Sequence, residues 1–192
     1  MRLLTVLLSG FFCLAGTQAN AGCPDADYPD WESSPYVLPF AAGETYRVEL
    51  ANCSSSYHST QYPDKFAYDF VMDIGTPITA SRAGVIVHVE ESGTDFNHPN
   101  NLVVVDHGDS TFAEYMHLTR DGAAVDVGDE VKQGDLIGYS GATGLAGYPH
   151  LHFIVVKNDW RWPYEAIPVT FSNTAANPRG LESYTSYEAL VY

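Results

Sequence analysis

Two histidines separated by a single residue open an apolar stretch near the C-terminal end of the chain. His150 and His152 flank Leu151, and residues 153–156 are all bulky and apolar. Such a run predicts a β-strand, and side chains alternate faces along a strand, so both imidazoles are expected on one face. Two imidazoles on one face can bind a metal together, or one can bind it while the other transfers a proton. A His-X-His pair is also compatible with a purely structural role, so other residues must support the chemistry.

A carboxylate supplies the first such support. Asp69 lies within residues 66–72, an otherwise apolar run that predicts another strand. Because burying an unpaired carboxylate is costly, Asp69 needs a cationic partner or a metal. A further histidine, His117, ends the predicted strand 111–117, and strand alternation places it on one face with Ala113 and Tyr115.

Short predicted strands must position these side chains. Besides those named, they cover residues 46–50, 78–80, 85–90 and 102–106, and glycine-containing turns separate most of them. No stretch shows a long helical period, and a glycine-rich loop at 140–148 precedes the His-X-His strand. The pattern predicts an all-β fold, a single compact domain built as an antiparallel sandwich or barrel-like sheet.

The N-terminus predicts export. Arg2 precedes an apolar run over residues 3–15, and residues 19–21 fit a small-residue cleavage site, so residues 1–21 are interpreted as a signal peptide. A membrane anchor is the weaker alternative because the run is short for a bilayer. Lipidation at Cys23 is also weaker, since Asn20 stands where an aliphatic residue is expected. We expect a periplasmic or extracellular mature chain without a transmembrane segment.

Export also determines how the cysteines are interpreted. Cys13 lies in the signal peptide, which leaves Cys23 and Cys53 as an even pair, and such a pair in an exported protein predicts a disulfide. Zinc ligation by these thiols is the alternative, although neither belongs to a CxxC motif.

The formal net charge is −15, from 9 basic and 24 acidic residues. A chain this acidic is expected to avoid nucleic acid and anionic membranes.

An ordered series of motifs then carries a family resemblance. It consists of Tyr68-Asp69-Phe70, Gly75-Thr76-Pro77, Ala83-Gly84-Val85, Asp106-His107-Gly108, Tyr115-Met116-His117-Leu118, the Val-Gly-Asp and Ile-Gly pattern of residues 127–138, Ser140-Gly141 with Thr143-Gly144, and His150-Leu151-His152-Phe153. The set resembles the M23 zinc metallopeptidases, the lysostaphin-like and LytM-like peptidoglycan endopeptidases. The resemblance covers about residues 58–156. We therefore expect an N-terminal extension at 22–57 tied by the disulfide, an M23-like core at 58–156, and a C-terminal extension at 157–192 that packs on the core.

The resemblance implies roles for individual residues. Asp69 and His152 correspond to zinc ligands, while His117 and His150 correspond to the pair beside the attacking water and the substrate carbonyl. Which of the pair is the general base stays open. The family's remaining ligand, a histidine four residues before the aspartate, is replaced here by Lys65.

A protonated lysine has no lone pair for zinc. His58, eleven residues before Asp69, is the nearest upstream histidine. We assign His58 as the third protein ligand, in a loop long enough to fold back. An ion pair between Lys65 and Asp69 is the structural alternative. The other histidines, His88, His98 and His107, are expected to be structural or solvated.

These expectations favour an exported zinc endopeptidase, a monomer that acts on peptidoglycan peptides or another peptide substrate. The main alternative is a non-catalytic relative that binds cell wall or regulates another wall hydrolase, which Lys65 favours and the retained histidines disfavour. A third hypothesis is a carrier module, because residues 127–138 resemble the biotinyl/lipoyl hammerhead. It lacks a lysine at a suitable hairpin tip.

Overall fold

The computed structural model describes residues 22–192, and the predicted signal peptide lies outside this range. Within it, the regular structure consists of β-strands and one-turn 3-10 helices, which confirms the predicted all-β class. The short helices are Trp31–Ser33, Ser56–His58 and Pro63–Phe66. The strands are β1 (Thr45–Leu50), β2 (Tyr68–Val71), β3 (Pro77–Thr79), β4 (Gly84–Glu90), β5 (Leu102–Asp106), β6 (Thr111–Met116), β7 (Leu118–Ala123), β8 (Glu130–Val131), β9 (Leu136–Ser140), β10 (His150–Lys157), β11 (Glu165–Ala166) and β12 (Thr185–Glu188).

Two antiparallel sheets share one core. The larger has the order β12-β1-β2-β10-β6-β5-β4-β8, with β11 added to β10, and the smaller has the order β3-β9-β7. Ile78 of β3, Leu118 of β7 and Ile137 of β9 belong to the same buried cluster as Phe70 and Phe153 of the larger sheet. The two sheets are therefore joined by apolar packing, as expected of a sandwich-like arrangement.

Strand β10, which carries the His-X-His motif, is the best-buried strand of the sheet, because seven of its eight residues are buried. Its alternating side chains enter two different clusters. Leu151 and Phe153 pack into the main core, whereas Ile154 and Val156 pack into a second cluster with Phe66 and Met116. Both faces of β10 are thus covered, which explains its nearly continuous apolar sequence.

The predicted disulfide between Cys23 and Cys53 is present. It ties the first described residues to the segment just before the helix Ser56–His58, and Cys23 is buried in the second cluster. The polar loop between β1 and β2 is therefore anchored near its beginning. Within residues 22–192, no helix is long and apolar enough to cross a membrane.

Candidate metal centre

Antiparallel pairing of β2 with β10 places Asp69 directly opposite His152. Side chains of directly paired residues share a face of the sheet, so the two groups meet without any loop rearrangement. His152 Nδ1 lies 2.8 Å from Asp69 Oδ1, and both residues are buried. The acid in the apolar run thus has the partner that its burial requires.

His58 reaches the same carboxylate oxygen from the loop before β2. It ends the helix Ser56–His58, and its Nε2 lies 3.1 Å from Asp69 Oδ1. Its Nδ1 lies 3.1 Å from the carbonyl oxygen of Ala67. A carbonyl only accepts hydrogen bonds, so Nδ1 donates its hydrogen to Ala67, and Nε2 is the nitrogen that faces Asp69. The loop before β2 therefore folds back onto Asp69.

The donor atoms of His58, Asp69 and His152 fit a zinc ion. All three lie within 4.8 Å of one another and are buried. Zinc bonds of about 2.0–2.2 Å in tetrahedral geometry separate neighbouring donors by roughly 3.4 Å, near the 2.8 and 3.1 Å separations here. Two imidazoles and one carboxylate also leave a coordination position open, as in catalytic zinc sites.

Lys65 does not compete for this position. It lies on the helix Pro63–Phe66, and its Nζ is 5.1 Å from the centre of the Phe66 ring. The ion contacts of Asp69 that the structure describes are all made with histidines. The structure therefore brings His58, and not Lys65, to the carboxylate.

Charge and burial act together on this group. Burial alone would raise the pKa of Asp69, but hydrogen bonds from His152 and His58 hold it well below its usual range. Burial alone would lower the pKa of His152, but the Asp69 carboxylate raises it. Asp69 is thus ionised at neutral pH, the form in which a carboxylate binds metal.

His117 and His150 form a second group that shares His152 with the first. Their ring centres are 4.7 Å apart. Nδ1 of His117 lies 2.7 Å from the carbonyl of Thr143, and Nδ1 of His150 lies 2.8 Å from the carbonyl of Tyr148. Both Nδ1 atoms therefore donate, which leaves the two Nε2 lone pairs available.

Both imidazoles are neutral proton acceptors in this environment. Burial, together with the neighbouring imidazoles of His150 and His152, lowers the pKa of His117 to about 3. Burial also lowers the pKa of His150. Both rings are therefore uncharged near neutral pH.

The prediction that His117 continues the alternation of its strand is wrong. Strand β6 ends at Met116, and His117 has a left-handed backbone with φ of 65°. Ala113 and Tyr115 enter the main core, whereas His117 faces the cleft. The backbone N–H of His117 donates to Asn100 Oδ1 at 3.0 Å and holds this turn.

Gly144 allows the glycine-rich loop to lie against Asn100. Its φ is +70°, and a Cβ atom there would lie 2.6 Å from the Cβ of Asn100. A larger residue would force the loop away from the side chain that holds His117. The glycines before the His-X-His strand therefore contribute to the geometry of the site.

A cleft of about 670 Å³ is lined by all five candidate site residues, namely His58, Asp69, His117, His150 and His152. Its rim carries the exposed side chains of Tyr57, Leu145 and Trp162. Tyr148 was not predicted as a site residue: its ring lies 4.6 Å from that of His150, and its hydroxyl is buried without a hydrogen-bond partner among the described residues. Burial and the charge of Asp69 raise the pKa of Tyr148, so the phenol stays a donor.

The remaining histidines play other parts. His88 stacks on Trp160 at 4.6 Å, and Nδ1 of His107 donates to the carbonyl of Ala83 at 2.9 Å. Both are structural, as expected. His98 is exposed but lines the mouth of the cleft.

Two acids behind His152 were also not predicted. Asp64 Oδ1 lies 3.8 Å from His152 Nε2, and the Tyr164 hydroxyl donates to that same oxygen. Glu114 is only 2% exposed. Burial raises the pKa of Glu114 to about 8. An acid in the apolar run 112–116 is the same signal that drew attention to Asp69, and it could have identified Glu114.

Replacing Glu114 with glutamine is expected to change how stability depends on pH. The folded-state pKa of about 8 lies above the ordinary value of 4.5, so the fold favours the protonated acid. The stabilisation that Glu114 gives the fold is complete below the ordinary pKa and is lost as pH rises toward 8. The free energy of unfolding then falls by a few kcal/mol, at about 1.4 kcal/mol per pKa unit. Glu114→Gln should remove this loss and unfold at higher denaturant than the parent above pH 8.

Urea unfolding of the metal-depleted protein from about pH 5 to about pH 9 measures this effect. The exposed Glu44→Gln is the matched control and should keep the parent's slope. An unchanged slope in Glu114→Gln would show that Glu114 is ionised in the folded chain at neutral pH.

The sequence is similar to those of several bacterial peptidases. Glycyl-glycine endopeptidase ALE-1 of Staphylococcus capitis is 34% identical over 132 residues, which cover 66% of this chain and 35% of that protein. Lysostaphin of Staphylococcus simulans is 36% identical over 110 residues, which cover 57% of this chain and 22% of that protein. Peptidoglycan DD-endopeptidase ShyA of Vibrio cholerae is 40% identical over 90 residues, covering 46% and 19%. The chain thus spans about a third or less of the length of these relatives.

Solved structures agree in fold. Lysostaphin from Staphylococcus simulans superposes with a TM-score of 0.51 at 28% identity, over 67% of this chain and 49% of that one. The deep-sea M23 metalloprotease Pseudoalterin gives a TM-score of 0.54 over 80% and 86%, and its 21% identity makes this a likeness of fold alone.

The profile of Peptidase family M23 matches residues 64–162. This segment contains Asp69, His117, His150 and His152, whereas His58 lies just before it. Because the match spans slightly more than half of the 192 residues, the chain belongs to Peptidase family M23.

Proposed function

We propose that this chain is an exported, zinc-dependent endopeptidase that hydrolyses peptide bonds of bacterial peptidoglycan. One observation carries the proposal: the buried donors His58, Asp69 and His152 and the neutral imidazoles of His117 and His150 meet in a single cleft. The names of its relatives, a glycyl-glycine endopeptidase and a peptidoglycan DD-endopeptidase, support the substrate class.

His58 Nε2, Asp69 Oδ1 and His152 Nδ1 would hold the zinc ion. When bound there, zinc would polarise the scissile carbonyl and lower the pKa of a water molecule. Asp69 offsets part of the metal's charge, and the hydrogen bond from His58 Nδ1 to Ala67 keeps the opposite nitrogen available.

His117 and His150 carry the proton chemistry. Hydrolysis forms a bond from the water oxygen to the carbonyl carbon, breaks the carbon–nitrogen bond and moves a proton to the leaving nitrogen. A neutral imidazole accepts the proton through Nε2 and returns it to that nitrogen. The other would donate a hydrogen bond to the developing oxyanion when it carries a second proton on Nε2, a form that the negative charge building up there favours. Because burial lowers the pKa of each ring, an acceptor stays available near neutral pH.

The walls of the cleft suit a peptide. Tyr57, Leu145 and Trp162 offer apolar surface at the rim, and Asp64 and Asp69 lie inside. Its described lining includes neither lysine nor arginine. This charge distribution favours uncharged or amine-bearing peptide segments over acidic ones.

The non-catalytic alternative depends on Lys65, which stands at the expected ligand position. His58 Nε2 lies 3.1 Å from Asp69 Oδ1, so a donor set exists without a histidine at 65. The disulfide between Cys23 and Cys53 supports export, because such bonds persist in oxidising compartments. We propose that the metallopeptidase core spans residues 58–156, with extensions at 22–57 and 157–192.

Tyr148→Phe is expected to lower turnover by about 10²-fold, because it removes a buried phenol that can donate to the developing oxyanion. Zinc content should stay at the parent's level, because the phenyl ring that packs on His150 is retained. Steady-state kinetics and metal analysis of the same preparation measure both. Tyr139→Phe, on β9 outside the cleft, is the control. Parent-like turnover in Tyr148→Phe would remove the hydroxyl from the reaction.

The proposal is tested by digesting purified peptidoglycan with the mature protein. Activity should vanish after chelation, return with zinc, and release fragments whose masses identify the bond cleaved. Zinc-loaded protein that binds peptidoglycan without cleaving it would contradict the proposal and favour the non-catalytic alternative.

A further inference from the structure

His152 has a second ring nitrogen, which the metal donor set does not use. Nδ1 faces Asp69, whereas Nε2 is buried and lacks a hydrogen-bond partner within the described residues. A metal binds Nδ1 only when that nitrogen is deprotonated, so the remaining ring proton must then sit on Nε2. A buried N–H without an acceptor would weaken the site.

Among the described residues, Asp64 is the carboxylate whose ion contact with His152 is made at Nε2, at a separation longer than a hydrogen bond. Its Oδ1 lies 3.8 Å from His152 Nε2, and its side chain is only 17% exposed. Asp64 belongs to the helix Pro63–Phe66, whose end is fixed by the hydrogen bond from Ala67 N to Asp64 O at 2.9 Å. The same short segment leads into β2, so Asp64 and Asp69 approach His152 from two sides.

Tyr164 fixes the direction of that carboxyl group. Its hydroxyl donates to Asp64 Oδ1, the oxygen nearest His152. Tyr164 directly precedes β11, which pairs with β10 through Ala166 and Val156. Its ring also makes an edge contact with that of Trp162, at 5.3 Å between centres. The segment after β10 is thereby linked to a ligand on β10.

We propose that Asp64, oriented by the Tyr164 hydroxyl, accepts the Nε2–H of His152 and so holds its imidazole in the tautomer that presents Nδ1 to the metal. Both are positioning residues that act through His152. This inference rests on the proposed function, because it needs His152 as a ligand. A carboxylate behind a ligating histidine also makes the imidazole a stronger donor.

Zinc affinity of the full mature chain, measured by competition with a chromophoric chelator, tests the proposal. Asp64→Ala and Tyr164→Phe should each lower the affinity, within the roughly 10–100-fold typical of such partners and more for Asp64→Ala. Because Tyr164 acts through Asp64, Tyr164→Phe should have no further effect in the Asp64→Ala background. Two control variants should bind zinc like the parent. Tyr187→Phe removes a hydroxyl that accepts from Glu182 N away from the cleft, and Asp109→Asn changes a partner of Arg82.

Nitrogen-15 and proton NMR of the zinc-loaded protein supply a readout that a general loss of stability would not change. The parent should show a slowly exchanging His152 Nε2–H resonance shifted downfield by its acceptor. That resonance should move upfield in Asp64→Ala and move less in Tyr164→Phe. Tyr164→Phe keeps the ring and its packing, so it tests the proposal even if Asp64→Ala fails to fold.

The outcomes separate the two proposals. A parent chain that binds zinc and cleaves its substrate, with variants of unchanged affinity and unchanged Nε2–H resonance, overturns the positioning role alone. A parent chain that binds no zinc overturns both. Additive losses in the double variant overturn the claim that Tyr164 acts through Asp64.

Discussion

Replacing His58 with alanine is expected to remove most of the metal from the protein. The change deletes one of three protein donors and leaves Asp69 and His152 to hold the ion alone. Loss of a direct ligand should exceed the roughly 10–100-fold cost of losing a partner behind one. Turnover should fall in parallel, because a metal site with only two protein donors stays empty at ordinary zinc concentrations.

Lys65→Ala is the matched comparison for this effect. Lys65 occupies the sequence position where the family resemblance places a histidine, but its Nζ lies over the Phe66 ring and not at Asp69. Its zinc content should stay close to that of the parent. The measurement is zinc per chain after dialysis against a weak chelator. Full zinc in His58→Ala, or its loss in Lys65→Ala, would reverse the assignment.

His117→Ala and His150→Ala are expected to separate metal binding from catalysis. Neither residue belongs to the group formed by His58, Asp69 and His152, so both variants should keep most of their zinc. Each should lose about 10²-fold or more in turnover, the scale for removing a general base or an oxyanion donor. Single-turnover kinetics and metal analysis on the same samples measure the two properties.

The control for this pair is His152→Ala, which should lose zinc and activity together. His88→Ala, which removes a ring stacked on Trp160, should change neither. If His117→Ala or His150→Ala releases zinc as completely as His152→Ala, that residue is a ligand and its proposed role in proton transfer is wrong.

The part of the site that the sequence predicts best depends on local rules. Alternation places His150 and His152 on one face of β10, and the cost of burying Asp69 predicts its need for a partner. The sequence does not state which strands pair, and it is the pairing of β2 with β10 that sets Asp69 opposite His152. His58 could be assigned only as the nearest available histidine in a loop with enough slack.

Other features escape local rules because they depend on tertiary contacts. The left-handed backbone of His117 breaks the alternation that the run 111–117 predicts, and Asn100, distant in sequence, stabilises it. Asp64 meets Tyr164 across 100 residues of chain, so no pattern near either residue reveals the contact. Glu114 is the exception, since its place in an apolar strand was visible.

The most direct test of this account is the position of the metal itself. A crystal of the mature protein grown with zinc should show a single strong anomalous peak at the zinc absorption edge. The peak should be bound by His58 Nε2, Asp69 Oδ1 and His152 Nδ1, at about the 2.0–2.2 Å expected of zinc with nitrogen and oxygen ligands. A peak bound without His58, or no peak within the cleft, would contradict the account.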